Sequence, residues 1–221
     1  MRDRQHKVKK ESNQQELCLI FSRYPEPGLT KTRLIPSLGG KGAAELQRWM
    51  TEKVVAEAGR LAAGRPGLCL ELAISGGDER QLAAWLGSQL RCREQVGNDL
   101  GARLAFAFDQ AFDRGFQRVV VVGGDCPELT SDILSQAFDR LRHKEVVLGP
   151  AADGGYYLMG LRRAVPQLFQ CITWGSGQVL RQTLRAAAQV DMEAFLLPRL
   201  ADVDRPADLD LLPTSWRSRL P

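Results

Sequence analysis

Short apolar runs alternate along the chain with segments whose apolar residues recur every three to four positions. The runs are rich in Val, Leu and Ile and end at glycine or proline, which predicts buried strands, whereas the periodic segments predict amphipathic helices. The predicted strands are residues 17–21, 68–74, 118–123, 145–149, 156–161 and 194–197, and the predicted helices are 41–63, 99–114, 131–142 and 178–189. Asp78 is the predicted N-cap of a further helix that carries Leu82, Trp85 and Leu86, and Asp204 is the predicted cap of a short last helix at Pro206. This alternation predicts an α/β sandwich.

The strongest strand signal is the β-branched run Val119–Val122. It is hydrophobic at every position, which is typical of a parallel strand covered by helices on both faces. We therefore place this strand at the centre of a mostly parallel sheet.

Composition supports one globular domain. The chain has 221 residues, of which 44% are hydrophobic and 25% are charged. Its net charge is +4, and the first 15 residues carry +3 of it, with five basic residues against two acidic ones. We expect residues 1–15 to form a disordered basic tail and residues 16–221 to form a single domain.

The nearly balanced charge of the remaining chain argues against a nucleic-acid partner. No apolar run approaches the length of a membrane span, and the tail lacks the apolar face that a stable membrane anchor requires. The five cysteines are far apart and form no C-x-x-C pair, so neither a disulfide framework nor a zinc site is indicated. We expect a cytoplasmic protein.

A basic loop, RYPEPGLTKTRL, follows the first strand, where open α/β sheets bind their ligands. Gly28 lets the backbone approach a ligand, and Lys31 and Arg33 supply cations suited to phosphate oxygens. Together with Arg23 they are candidate nucleotide-binding residues. The loop is not a P-loop, because G-x-x-x-x-G-K-[ST] is absent. The alternative is a flexible basic surface loop.

Asp125 follows the central strand in the motif GGDCPEL. A carboxylate at the carboxyl edge of the sheet, beside a phosphate loop, is suited to bind Mg²⁺ or Mn²⁺. Asp202 and Asp204 in DVD are spaced so that both side chains project to one side of an extended segment, and they are the candidate partners of Asp125 in that metal site. The alternatives are that Asp125 caps the following helix and that the DVD pair caps the last one.

Three further features accompany these carboxylates. Asp153, Gly154 and Gly155 predict a tight turn before an aromatic strand; Asp153 is a candidate catalytic group for an acceptor hydroxyl, although D-G is also a common turn dipeptide. Arg103 lies one turn after Asp99, and it either pairs with Asp99 on the helix or contacts the acceptor. Trp174 lies in a glycine-bounded turn, where it stacks on a ligand ring or packs beneath a loop.

Six motifs, YPEPGLTKTRL, DLGARL, GGDCPELT, GPAADGGYYLMGL, ITWGSG and DVDRPADL, together resemble one bacterial family in order and spacing. This family is described as glycosyltransferases, including those linked with arsenosugar biosynthesis, and it is related to 2-phospholactate guanylyltransferase and molybdenum cofactor guanylyltransferase. The resemblance implies a nucleotide-diphospho-sugar transferase fold, which is a GT-A-like α/β/α sandwich of three layers.

Carried over to this sequence, the resemblance makes Lys31 and Arg33 the phosphate loop, Asp125, Asp202 and Asp204 the metal ligands, and Asp153 an acceptor-side group, with Asp125 and Asp153 as the catalytic pair. Gly154, Gly155, Arg103 and Trp174 are acceptor or ring contacts. The donor is a nucleotide-sugar or a nucleoside triphosphate, and the acceptor is a small molecule.

Three functions follow as hypotheses. The first is a metal-dependent glycosyltransferase, and the second is a nucleotidyltransferase that releases pyrophosphate. The third is a nucleotide-binding protein without turnover. No D-x-D pair follows the central strand, which weighs against the first of them. A Rossmann dehydrogenase is excluded, because PEPGLTK stands where G-x-G-x-x-G is required.

Overall fold

A seven-stranded sheet forms the middle layer of the protein, whose computed structural model describes residues 15–220. The strands are β1 (Glu16–Arg23), β2 (Leu68–Ser75), β3 (Arg91–Glu94), β4 (Arg118–Gly123), β5 (Val146–Pro150), β6 (Tyr156–Leu161) and β7 (Ala194–Leu196). Their order is β3-β2-β1-β4-β6-β5-β7, and β6 is antiparallel to both of its neighbours while the other pairs are parallel. The predicted mostly parallel sheet, with β4 at its centre, is confirmed.

Helices cover both faces of the sheet. They are α1 (Ile35–Gly64), α2 (Glu79–Leu86), α3 (Leu100–Asp113), α4 (Ser131–Arg140), α5 (Val179–Gln189) and α6 (Thr214–Arg217), with 3-10 helices at Thr32–Leu34, Pro166–Phe169 and Pro206–Leu211. One core lies between the sheet and α3 and α5, and another lies between the sheet and α1, α2 and α4. The predicted three-layer α/β/α sandwich is therefore confirmed. Within residues 15–220, each helix is too short or too polar to cross a lipid bilayer.

Several predicted boundaries were wrong for local reasons. The edge strand β3 was missed, because three of its four residues are charged and only its pairing with β2 defines it. Helix α1 begins six residues before the predicted Lys41, with a kink at Gly39 where φ is +66°. Gln15, assigned to the predicted tail, bonds to Gly67 and Gln117; the rest of that tail lies outside the described residues.

The prediction that Asp204 caps the last helix was also wrong. Arg205 is the N-cap residue of the 3-10 helix Pro206–Leu211, and Pro206 occupies its first turn as predicted. The carboxylate that accepts from the backbone N–H groups of Asp204 and Arg205 belongs to Asp208. The side chain of Asp204 is therefore available for the cleft.

A third apolar cluster fastens the C-terminal segment to the start of α1. Val203 and Leu212 are buried against Leu34, Leu38 and Leu46. The N–H of Val203 also donates to the backbone carbonyl of Asp125 at 3.1 Å. The residues on either side of Val203 are thereby held beside both the basic loop and the end of β4.

Candidate functional site

A cleft of about 660 Å³ opens at the carboxyl ends of β1 and β4. Parallel α/β sheets bind ligands at this edge, because the strand ends and their loops converge there. The cleft is lined by ten of the predicted site residues: Arg23, Lys31, Arg33, Arg103, Asp125, Asp153, Gly155, Trp174, Asp202 and Asp204. Gly28 and Gly154 do not line it. The chain thus brings together residues that the sequence places up to 181 positions apart.

The basic loop is a folded structure, contrary to the alternative of a flexible surface loop. The hydroxyl of the buried Thr30 donates to the carbonyl of Tyr24 at 2.8 Å and accepts from the N–H of Glu26. Gly28 adopts φ +84°, a conformation that favours glycine, and its backbone packs against Gly40 of α1. Gly28 therefore shapes the loop, and its place outside the cleft is consistent with a backbone role.

Lys31 is the central cation of the site, and its side chain is only 3% exposed. Its ammonium lies 3.1 Å from Asp125 Oδ2 and 3.5 Å from Asp204 Oδ1, and it donates to the carbonyl of Val203 at 2.6 Å. A buried ammonium needs this compensation, since isolated charges are costly away from water. Lys31 therefore joins three distant segments, and in this structure its partners are carboxylates.

Arg33 is the more open of the two predicted phosphate ligands. Its guanidinium pairs with Asp204 at 2.5 Å, while 61% of the side chain is exposed. Burial by itself raises the pKa of Asp204, but the charges of Lys31 and Arg33 outweigh burial and hold that pKa below its ordinary value. Asp204 is thus an ionised carboxylate, and Arg33 keeps N–H donors that face solvent.

Asp202 has the opposite environment. Burial, followed by the negative charges of Asp153 and Asp125, raises the pKa of the Asp202 carboxyl, and the charge of Lys31 offsets this only in part. The carboxylates of the cleft therefore repel one another at Asp202. A cation placed there would relieve that repulsion.

The donor set fits a divalent cation that arrives with a nucleotide. Within residues 15–220, no three Asp, Glu, His or Cys residues are grouped so that they could hold a metal by themselves. Mg²⁺ is usually held by one or two carboxylates together with substrate phosphates and water, so a complete protein cage is not required. Asp125 and Asp202 can supply the hard oxygen ligands, while Asp204 is engaged by Lys31 and Arg33.

Asp125 does not cap the following helix, because the N-cap residue of α4 is Thr130, whose hydroxyl accepts from Ile133. About half of the Asp125 side chain is exposed to the cleft, and the rest contacts Lys31 and the amide of Gln47. The alternative of a structural cap is therefore wrong for Asp125.

The turn after β5 forms the opposite wall of the cleft. Asp153 Oδ1 accepts from the N–H of Gly155 at 2.8 Å, which fixes the predicted tight turn. A Cβ at Gly154 would lie 2.4 Å from the carbonyl oxygen of Gly177, so the turn and the loop before α5 touch through their backbones. Gly154 is thus required for this close approach, although it does not itself face the cleft.

Arg103 and Trp174 close the cleft on the α3 side. Asp99 caps α3, but the Arg103 side chain donates to the Gly97 carbonyl and to Gln95 Oε1, so it is not the simple helix pair. Trp174 packs edge-on against Tyr156, with ring centroids 6.4 Å apart. It also touches Gly101, where a Cβ would lie 2.4 Å from the indole nitrogen.

That contact gives a first prediction. We expect Gly101→Ala to lower the free energy of unfolding by about 1–3 kcal/mol, because the new methyl group must displace Trp174. Gly59→Ala, in α1 where a Cβ would meet nothing within 4 Å, is the matched control. It should be neutral or stabilising by up to about 1 kcal/mol. Equal unfolding midpoints for the two variants in thermal denaturation would contradict the packing of Trp174 on α3.

The sequence reading missed several polar residues of the cleft. They are Ser22, Gln47, Ser75 and Gln95. Gln95 donates to the carbonyls of Ser22 and Ala73, both at 2.9 Å, and so ties the ends of β1 and β2 to the loop after β3. Gln47 lies on the apolar face of α1. A polar residue among the apolar positions of that face is the one sequence signal that could have identified Gln47 as a site residue.

A search against protein-family profiles matches residues 60–176, more than half of the chain, to DUF2064, described as an uncharacterized protein conserved in bacteria. A crystal structure from Desulfovibrio desulfuricans, named provisionally as a nucleotide-diphospho-sugar transferase, is 35% identical. The alignment covers 91% of this chain and 87% of that one, with a TM-score of 0.83. The chain belongs to the DUF2064 family. The predicted superfamily, the nucleotide-diphospho-sugar transferases, and the predicted enzyme class, a transferase, are confirmed.

More distant structures share the fold. CMP-2-keto-3-deoxy-manno-octonic acid synthetase, solved with CTP, is 14% identical over 93% of this chain and 100% of that one, with a TM-score of 0.57. Glucosyl-3-phosphoglycerate synthase from Mycobacterium tuberculosis, solved with Mn²⁺ and UDP, is 11% identical over 88% of this chain and 74% of that one, with a TM-score of 0.56. A search of curated protein sequences finds no match.

Proposed function

We propose that this protein is a divalent-cation-dependent transferase that binds a nucleotide-activated donor and transfers part of it to a small-molecule acceptor. The observation that carries the proposal is the convergence of Asp125, Asp202 and Asp204 on one cleft with the cations Lys31 and Arg33. Transfer from a nucleotide requires neutralisation of its phosphates and of the charge on the leaving group. This constellation is suited to that task.

The donor would lie along the β1 side of the cleft. Arg33, which keeps guanidinium donors that face solvent, would bind a phosphate oxygen. Arg23, which is exposed at the end of β1, would also bind the donor phosphates. Lys31 would contribute positive electrostatic potential to the phosphate site without binding a phosphate directly, since its ammonium is already paired with carboxylates. The polar residues Ser75, Gln95 and Arg103 would receive the nucleoside.

Asp125 and Asp202 would hold Mg²⁺ or Mn²⁺ together with donor phosphate oxygens. When bound there, the cation supplies Lewis-acid stabilisation of the negative charge that develops on the leaving phosphate. The same ion would stabilise the ionised form of Asp202, whose pKa is raised by burial and, secondarily, by the negative charges of Asp153 and Asp125. The fold is shared with CMP-2-keto-3-deoxy-manno-octonic acid synthetase, solved with CTP, and with glucosyl-3-phosphoglycerate synthase, solved with Mn²⁺ and UDP, which supports a nucleotide as the ligand.

The preferred reaction is glycosyl transfer to an acceptor hydroxyl. Asp153 lines the acceptor side, and its negative charge suits a neutral hydroxyl better than a second phosphate. The acceptor oxygen would bond to the anomeric carbon, the bond from that carbon to the diphosphate oxygen would break, and Asp153 would take the proton. The product would be a glycoside and a nucleoside diphosphate. Trp174 and Tyr156 would pack against the acceptor or the sugar ring.

A second candidate is nucleotidyl transfer to a phosphorylated acceptor with release of pyrophosphate. One aspartate, rather than a D-x-D pair, follows β4, and a basic loop follows β1. This arrangement suits a donor with a longer phosphate chain. A third candidate, a nucleotide-binding protein without turnover, keeps the same cleft but produces neither product.

One screen separates these candidates. The protein is incubated with Mg²⁺ or Mn²⁺, a panel of nucleotide-sugars and nucleoside triphosphates, and pools of hydroxylated and phosphorylated small molecules. Released nucleoside diphosphate and released pyrophosphate are then measured separately. Cation-dependent diphosphate release supports glycosyl transfer, and pyrophosphate release replaces it with the second candidate. Cation-dependent stabilisation without either product indicates binding alone, and the absence of any ligand-induced shift in thermal denaturation would contradict the proposal.

A further inference from the structure

The amide of Gln47 contacts the proposed metal ligand Asp125 from below the cleft. Gln47 belongs to α1, is only 4% exposed, and its Nε2 lies 3.3 Å from Asp125 Oδ1. The same nitrogen lies 3.3 Å from Ser22 Oγ and 3.2 Å from Thr51 Oγ1. The two hydroxyls are hydrogen-bonded to each other at 2.7 Å. A buried polar network therefore connects β1, α1 and the end of β4.

The chemistry of the partners fixes which end of the amide faces Asp125. An ionised carboxylate accepts hydrogen bonds and donates none, so the NH₂ group of Gln47 must point toward Asp125, with the amide oxygen turned away. Hydroxyls can donate or accept, so Ser22 and Thr51 adapt to this orientation. The absence of a side chain at Gly124 makes room for them, since a Cβ there would lie 3.2 Å from Ser22 Oγ and 3.3 Å from Thr51 Oγ1.

Asp125 is consequently held at both of its oxygens. Lys31 contacts Oδ2 at 3.1 Å, and Gln47 contacts Oδ1 at 3.3 Å. A carboxylate held by one partner alone rotates about its terminal torsion, whose barrier is low and whose distribution is broad. Two partners on opposite oxygens restrict that rotation and leave the remaining lone pairs directed into the cleft, where about half of the side chain is exposed.

We propose that Gln47 is the positioning residue that orients the Asp125 carboxylate for the cation and the donor phosphates, with Ser22 and Thr51 as its anchors. The inference rests on the proposed function and deepens it, because it names a residue that acts on cation-dependent binding through the Asp125 carboxylate. Second-sphere partners of metal ligands act in this way, by fixing the ligand before the metal arrives.

The test uses Gln47→Met, which keeps the length of the side chain and removes its donor. The full chain is titrated calorimetrically with UDP, GDP, CDP and ADP, each with Mn²⁺ and each with EDTA. We expect the variant to lose about tenfold in nucleotide affinity with Mn²⁺. Its affinity in EDTA should remain within about twofold of the parent protein. A purely structural role would lower the unfolding midpoint and leave the ratio of the two affinities unchanged, which would overturn the inference.

Thr51 provides a second pair of variants, should Gln47→Met fold poorly. Thr51→Val removes the hydroxyl that anchors Gln47 at nearly constant volume, and Thr51→Ser retains it. We expect a loss of about threefold in Mn²⁺-dependent affinity for the first, as for one hydrogen bond, and recovery in the second. Equal affinities for the two variants would overturn the inference. If the parent protein binds none of the four nucleotides with Mn²⁺, the proposed function itself fails. If the parent protein binds them and the variants bind them with the same affinity, only the role of Gln47 fails.

Discussion

Asp125→Asn is expected to lower turnover by about 10³-fold, the largest effect on catalysis that the structure predicts. The amide oxygen of Asn carries no full negative charge, so it binds a divalent cation poorly and no longer pairs with the Lys31 ammonium 3.1 Å away. The substitution preserves shape, so its main effect should appear in kcat. Loss of the pair with Lys31 should also lower the unfolding midpoint, but by less than Lys31→Met does, because Asp204 still compensates the ammonium. Steady-state kinetics with the donor identified by the product screen measure it.

The matched control is Asp78→Asn. Asp78 caps α2 through the N–H of Gln81, lies outside the cleft, and Asn is an equally good cap. Its kcat should stay within about twofold of the parent value, because a cap of this kind affects only helix stability. If Asp125→Asn behaves like this control, Asp125 does not take part in the reaction.

Lys31→Met is expected to have the largest effect on stability among the site variants. The ammonium is almost fully buried between Asp125, Asp204 and the carbonyl of Val203, so its removal leaves two carboxylates without compensation. Breaking a fully buried pair costs roughly 3–5 kcal/mol, but these carboxylates are 47% and 35% exposed, and we expect about 1–3 kcal/mol. The midpoint of thermal unfolding should fall by roughly 3–10 °C.

The response of the Lys31 variant to cations provides an independent check. Mg²⁺ should raise the unfolding midpoint of Lys31→Met more than that of the parent protein, because the ion can replace the missing positive charge between the carboxylates. Lys41→Met, an exposed substitution on α1, should change the free energy of unfolding by no more than about 0.5 kcal/mol. An unchanged midpoint for Lys31→Met would contradict the proposed compensation.

The sequence predicted the fold well where the signal was local. The continuous apolar run of β4 predicted its central position, and Asp78 and Asp99 marked helix starts, because apolar periodicity and caps depend only on neighbouring residues. Strand β3 was missed because its stability comes from pairing: Arg91 and Arg93 contact the buried Glu71 on β2. These long-range ion pairs leave no pattern among neighbouring residues of the sequence.

The site was predicted as a set of residues, but not as a set of contacts. Motifs identified Lys31, Asp125 and Asp204, yet spacing alone could not show that Lys31 lies buried among the carboxylates rather than extended toward a phosphate. That arrangement depends on the left-handed backbone at Lys31, with φ +50°, and on the burial of Val203 against α1. Gln47 likewise became identifiable only when its hydrogen-bond partners were known.

A crystal structure of the full chain with Mn²⁺ and the nucleotide that stabilises it best, with anomalous scattering recorded to locate the ion, would test the cation site at Asp125 directly. We expect one manganese peak within about 2.3 Å of a carboxylate oxygen of Asp125 and of a donor phosphate oxygen, with Arg33 on the phosphates. A nucleotide bound outside this cleft, or manganese bound away from Asp125, would contradict the account.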